Sequence, residues 1–116
     1  MMIRRTMVLV ALCVASQANA QNLDFLITNA TGRTITKIEV QPTGQTDWAE
    51  NRLKHDKLAD TKRSSVFFPR ADDQCKYDVR AEFSSGDPLI WRGIDFCDNA
   101  YLTLRIKNGQ PEYSVD

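Results

Sequence analysis

From Leu23 onward, apolar and polar residues alternate along most of the chain. Leu23, Phe25 and Ile27 alternate with Asp24, Leu26 and Thr28; after the turn cluster Asn29-Ala30-Thr31-Gly32, Thr36, Ile38 and Val40 alternate with Lys37, Glu39 and Gln41. A period of two marks strands with one buried face, so these segments predict a hairpin. The clearest strand runs from Cys75 to Phe83, with Cys75, Tyr77, Val79, Ala81 and Phe83 on one face and Lys76, Asp78, Arg80 and Glu82 on a wet face. Ser84-Ser85-Gly86-Asp87 supplies a turn, Pro88 opens the next strand, and Leu89 to Phe96 is apolar enough to be covered on both sides. Tyr101 to Ile106 and Glu112 to Val115 flank Asn108-Gly109, a tight-turn dipeptide. With Val66-Phe67-Phe68 the count is about seven strands, which predicts an all-β fold, a small antiparallel β-sandwich.

Thr43 to Arg63 lacks the strand pattern. Asp47 followed by Glu50 fits a capped short helix beginning at Trp48, with Leu53 near the same side, but the apolar stripe is sparse. The expectation is a long loop or short helix across residues 43–63.

The N-terminus changes what the composition means. Arg4 and Arg5, the apolar run Met7 to Ala15 and then Ala18-Asn19-Ala20 follow the order of a secretory signal peptide cleaved before Gln21. The run is about half of the ~20 apolar residues a membrane span needs, so no transmembrane anchor is expected in the mature chain. Leu12 before Cys13 departs from a lipoprotein pattern, and the surroundings of the arginine pair depart from the twin-arginine motif. The address is therefore periplasmic or secreted. The full chain of 116 residues has 15 basic and 15 acidic residues; without Arg4 and Arg5, 13 basic residues face 15 acidic ones, a net charge of −2. An acidic balance without an aromatic-rich basic motif argues against nucleic acid.

Cleavage also removes Cys13 and leaves Cys75 and Cys97. An even count in a small exported domain predicts a disulfide between them, the alternative being two free thiols. Pairing these cysteines across antiparallel strands sets residue numbers that sum to 172, so Phe83 would face Leu89 and Ala81 would face Trp91. Ile90, Ile94 and Phe96 would then lie on the face of Lys76, Arg80 and Glu82. That face is partly covered, or a bulge shifts the register.

Candidate chemistry is sparse. His55 is the single histidine, set in Arg52-Leu53-Lys54-His55-Asp56-Lys57. A catalytic imidazole needs an orienting acid and a nucleophile, and no Gly-x-Ser-x-Gly elbow accompanies it. No metal site or cofactor is expected, since the cysteines lack further ligands at zinc spacing. Asp72-Asp73 and the pair Asp95 and Asp98 could offer calcium oxygens, but turn formation accounts for them. Arg52, Lys54, Lys57, Lys62 and Arg63 concentrate positive charge against Asp56 and Asp60, which suits either an anionic partner or a well-hydrated loop. Trp91 is expected in the core, while Trp48 could pack its loop or offer a contact surface. Asn29-Ala30-Thr31 matches a glycosylation sequon, but a turn is the better reading.

Several marks occur in a familiar order: Asn29-Ala30-Thr31-Gly32, Trp48, Cys75-Lys76-Tyr77-Asp78 and Gly93-Ile94-Asp95-Phe96-Cys97. This frame resembles a group of small exported bacterial proteins with an Asn-x-Thr-Gly turn, a Trp loop, a Cys-x-x-Asp strand and a Gly-x-Asp-x-Cys strand. The group has no established biochemical activity. Some members carry an argininosuccinate lyase label, but that enzyme is a large helical oligomer and this chain is short. Ala59-Asp60-Thr61 departs from the resemblance, because relatives often have a glycine-containing turn there. The resemblance carries no catalytic residue across. The expected function is a non-enzymatic binding domain of the envelope or extracellular space, with Trp48, Arg52, Lys54, His55 and Lys57 as a partner-binding loop. Its partner would be a protein or an anionic envelope component. The alternative is a periplasmic inhibitor of a lytic or proteolytic enzyme.

Overall fold

A computed structural model describes residues 22–48, 50–71 and 73–116, so the expected signal peptide and its expected cleavage point lie outside the described residues. Seven strands follow in chain order: β1 (Asn22–Ala30), β2 (Ile35–Pro42), β3 (Arg63–Pro69), β4 (Lys76–Phe83), β5 (Leu89–Asp95), β6 (Tyr101–Lys107) and β7 (Gln110–Val115). They form two sheets, ordered β3-β1-β6-β7 and β2-β4-β5. The sandwich expectation holds. Phe25, Ile27, Val66, Phe68, Leu102 and Leu104 on one inner face meet Ile38, Tyr77, Val79, Ala81, Trp91 and Ile94 on the other.

The predicted β1–β2 hairpin does not form. β1 is central in its sheet, paired antiparallel with β3 and parallel with β6, so neither edge is left for β2. The chain crosses instead to the second sheet, where β2 pairs with β4. The β1–β6 pair also makes the sandwich dominantly, rather than wholly, antiparallel. The crossing is set by Asn29, which is fully buried. Its amide donates to the carbonyls of Arg33 (2.7 Å) and Leu58 (2.9 Å), while its Oδ1 accepts from the Thr31 N–H (3.0 Å) and hydroxyl (2.6 Å). The sequon is thus a turn, its asparagine closed to solvent.

The β4–β5 register resolves the conflict seen in sequence. Lys76 faces Asp95 and Tyr77 faces Ile94, but Val79 faces Trp91 and Ala81 faces Leu89, so a bulge replaces the constant sum of 172. Arg92 and Gly93 together oppose Asp78, and Gly93 takes φ +69°, a conformation glycine adopts without a Cβ penalty. The bulge turns Trp91, Ile94 and Phe96 all inward. Asp78, assigned to the wet face, is fully buried because its carboxylate holds this bulge. It accepts from the Gly93 N–H (2.9 Å), the Thr43 hydroxyl (3.0 Å) and the Gly44 N–H (3.2 Å). Buried carboxylates persist when their lone pairs are filled in this way.

Both sides of the sandwich are closed. On one, the Trp91 indole N–H donates to the carbonyls of Glu112 (2.8 Å) and Arg105 (3.2 Å), tying β5 to the β6–β7 hairpin. That hairpin turns on Asn108 (φ 53°) and Gly109 (φ 76°), the two positive φ values of a tight two-residue turn. On the other side, no helix forms among the described residues of 43–62. The stretch runs back along β2, with Arg52 N–H on the Ile38 carbonyl and bridges joining Ile35 to Leu58 and Leu53 to Val66. The helix expectation fails because the loop's apolar residues, Leu53 and Leu58, are claimed by the core at two separate points.

Phe25, Phe68, Tyr77 and Phe96 cluster at the end of the core beside the Cys75–Cys97 disulfide. Burial pushes the Tyr77 hydroxyl above its ordinary range. With its cysteines 22 positions apart, the crosslink contributes about 3 kcal/mol by restricting the unfolded chain. Replacing both cysteines by serine is expected to lower stability by about that amount in equilibrium urea unfolding. The Ala59–Lys62 turn, closed by Lys62 N–H on the Ala59 carbonyl, holds Thr61 at φ 72°. A β-branched residue is strained there, so Thr61→Gly is expected to raise stability by about 1 kcal/mol in the same measurement.

Candidate functional site

The predicted partner loop is divided by its anchors. Leu53 and Leu58 are buried, and the four residues between them, Lys54-His55-Asp56-Lys57, are exposed. Each leucine also bridges a neighbouring strand, so a short polar tip is held at both ends by the core. Asn29 reinforces one end through the Leu58 carbonyl, and Asn51 reinforces the other. The Asn51 Oδ1 accepts from the N–H groups of Leu53 and Ile38, both at 3.0 Å.

The structure brings Lys54, His55 and Lys57 together on this tip but places Trp48 elsewhere. Half-buried Trp48 lies in the stretch leaving the end of β2, its N–H on the Thr46 carbonyl, before the chain reaches the Arg52–Ile38 contact. Arg52 is half-buried and paired with Glu50 at 3.2 Å. Lys62 and Arg63 continue the basic wall beyond the tip, into the start of β3. Among the described residues, no salt bridge joins Lys54, Lys57, Lys62 or Arg63 to a carboxylate. Asp60 is occupied, its Oδ1 accepting from the Gly32 N–H at 2.8 Å. The wall can therefore present several cations to an anionic surface while Asp60 serves a turn.

A second charged surface was hidden in the strand alternation. On the outer face of the β2-β4-β5 sheet, buried Glu39 accepts from Arg80, which also reaches Glu82 at 2.8 Å, and Lys37 approaches Glu39 at 3.6 Å. The hydrogen bond from Arg80 to Glu39 is the main cause of raising the guanidinium above its already high ordinary value. The cross-strand spacing of Glu39 and Arg80 is a signal of this pair, since opposite charges on paired strands stabilise them. Its groups satisfy one another, and it serves as a sheet clamp.

The motif residues have structural work. Asp78 and Gly93 make the bulge, and the Asp95 Oδ1 accepts from the N–H groups of Cys97 (2.8 Å) and Asp98 (3.3 Å). Asp95 thereby forms a turn, the role that its place in the sequence suggests. Sγ of Cys75, Sγ of Cys97 and an Asp95 oxygen lie within 4.8 Å of one another, but the two sulfurs are bonded to each other. Asp72 lies outside the described residues.

No protein-family model matches the chain, and no curated protein matches it. The fold is similar to the NMR structure of a protein from Eubacterium rectale, with a TM-score of 0.56 at 15% sequence identity, over 87% of this chain and 94% of that one. At this identity the likeness establishes a shared fold.

Anchoring the tip at both ends should protect its lysines from protease. Trypsin under native conditions is expected to spare Lys54 and Lys57 in the wild type and to cut there in Leu58→Ala, with mass spectrometry locating the nicks. Equal cleavage in the two proteins would show that the tip is not held by its leucines.

Proposed function

We propose that this protein is an exported, non-enzymatic binding domain whose basic wall docks on an anionic surface, either an acidic protein face or an envelope component. The observation that carries this reading is the pairing of an anchored tip with cations that form no salt bridge among the described residues. Pre-anchoring lowers the ordering cost of binding, and clustered charge speeds encounter. The signal-like order of residues 1–20 and the disulfide both suit an oxidising compartment outside the cytoplasm. His55 is read as a surface side chain of the same wall, and Trp48, in the stretch leaving β2, as lying outside it.

The resemblance to small exported bacterial proteins is read in the same way. Its Asn-x-Thr-Gly, Cys-x-x-Asp and Gly-x-Asp-x-Cys marks supply a framework, which leaves loops free to vary in what they bind. One observation favours a second reading, an inhibitor of a lytic or proteolytic enzyme. A four-residue exposed tip fixed at both ends is the shape that enters an active-site cleft without losing its own conformation.

Retention on a dextran sulfate column tests the anionic-surface reading. Lys54→Glu/Lys57→Glu/Lys62→Glu is expected to elute at clearly lower salt than wild type, whereas the single reversal Lys107→Glu on the β6–β7 hairpin should cost much less. Equal losses per charge reversed would reduce the wall to general electrostatics. Inhibition of a muramidase or protease panel that disappears with the triple variant would favour the inhibitor reading.

A further inference from the structure

Where β1 begins, residues 96–100 between β5 and β6 fold against Asp24 and Phe25 and leave a cavity of about 260 Å³. Phe25 and Phe96, each 3% exposed and stacked with centroids 4.3 Å apart, form an apolar base. Asp24 and Asp98 line the same cavity, are exposed, and have no salt bridge among the described residues. Cys97, Asn99 and Ala100 complete the lining. Arg70 reaches the wall through Cys97, donating to its Sγ at 3.3 Å and to the Gln74 carbonyl at 3.1 Å. The Asn99 amide is committed to the Asp95 carbonyl at 2.9 Å.

We propose that this cavity binds a primary ammonium group carried on a short apolar stem. Two carboxylates at the lining and aromatic carbon at the base match a ligand charged at one end and apolar along its length. The volume falls below the ~300–1,000 Å³ of drug-sized pockets, so the ligand has few heavy atoms. A hard metal ion fits poorly. It needs about six oxygen ligands, whereas the lining offers two carboxylates, and Asp95 is engaged by two backbone N–H groups. The site is separate from the basic wall and selects the opposite charge. Two sources carry the required chemistry, a free alkylamine and the lysine side chain of a polypeptide.

Titrating n-butylammonium chloride into the 15N-labelled disulfide-bonded protein tests this. Amide shifts at Asp24 and residues 96–100 should saturate with a dissociation constant in the low millimolar range. Asp24→Asn/Asp98→Asn should weaken binding at least ~tenfold, and 0.5 M NaCl should also weaken it. Ala100→Leu, which fills the cavity without changing charge, should abolish the shifts, and it decides the question if the double variant misfolds. n-Butanol binding as tightly as n-butylammonium, retained binding in Ala100→Leu, or no localised shift up to ~50 mM ligand would each overturn the proposal. Nα-acetyl-lysine amide identifies the source: tighter binding than n-butylammonium assigns the site to a polypeptide lysine, and weaker binding assigns it to a free amine.

Discussion

The buried side chain of Asn29 is the constraint on which the arrangement turns. It sits where the chain leaves one sheet for the other, and its amide satisfies carbonyls in both the connecting turn, at Arg33, and the returning loop, at Leu58. An unpaired carbonyl in that interior would cost about 1–3 kcal/mol, so the crossing and the loop are specified together. The backbone of Asn29 is equally committed, donating to Lys62 and accepting from Thr61. One asparagine thereby fixes the corner, the Ala59–Lys62 turn and the anchor of the exposed tip.

Asp78 has the complementary role at the opposite end of the second sheet. Its carboxylate binds the Gly93 bulge to the Thr43-Gly44 turn, so the register of β5 and the exit of β2 are set by one buried charge. The bulge then aims Trp91 inward, and the indole fastens the C-terminal hairpin. These polar groups connect elements that hydrophobic burial alone would leave free to slide. The apolar core supplies attraction without direction, and the filled hydrogen bonds choose the register.

Much of this was legible in the sequence. Period-two alternation gave the strands, Asn108-Gly109 located the final hairpin, and the cysteine pair formed as the count suggested. Pairing was less legible, because alternation reports that a face is buried without reporting which strand lies alongside. The segments around Asn29 read equally well as a hairpin or as a corner between sheets, and the choice rests on β6, more than 70 residues later. Asp78 looked solvent-facing because nothing in its own strand reveals the backbone N–H groups brought to it by β5 and the β2 turn. Thr61 is the reverse case. The lack of a glycine in Ala59-Asp60-Thr61 was visible in the sequence, and the turn takes the left-handed backbone at a β-branched residue all the same. Within the candidate wall, charge was legible from composition, but its separation from Trp48 depends on where Leu53 and Leu58 enter the core.

The parallel pairing of β1 with β6 bears on how the molecule comes into being. The first strand finds one of its two neighbours only after residues 101–107 have been made, so the central part of that sheet cannot close on a partial chain. Contacts spanning most of the sequence carry a large loop-closure cost and slow the approach to the native state. A chain that ends before β6 therefore leaves that edge of β1 open, whichever other strands have already paired.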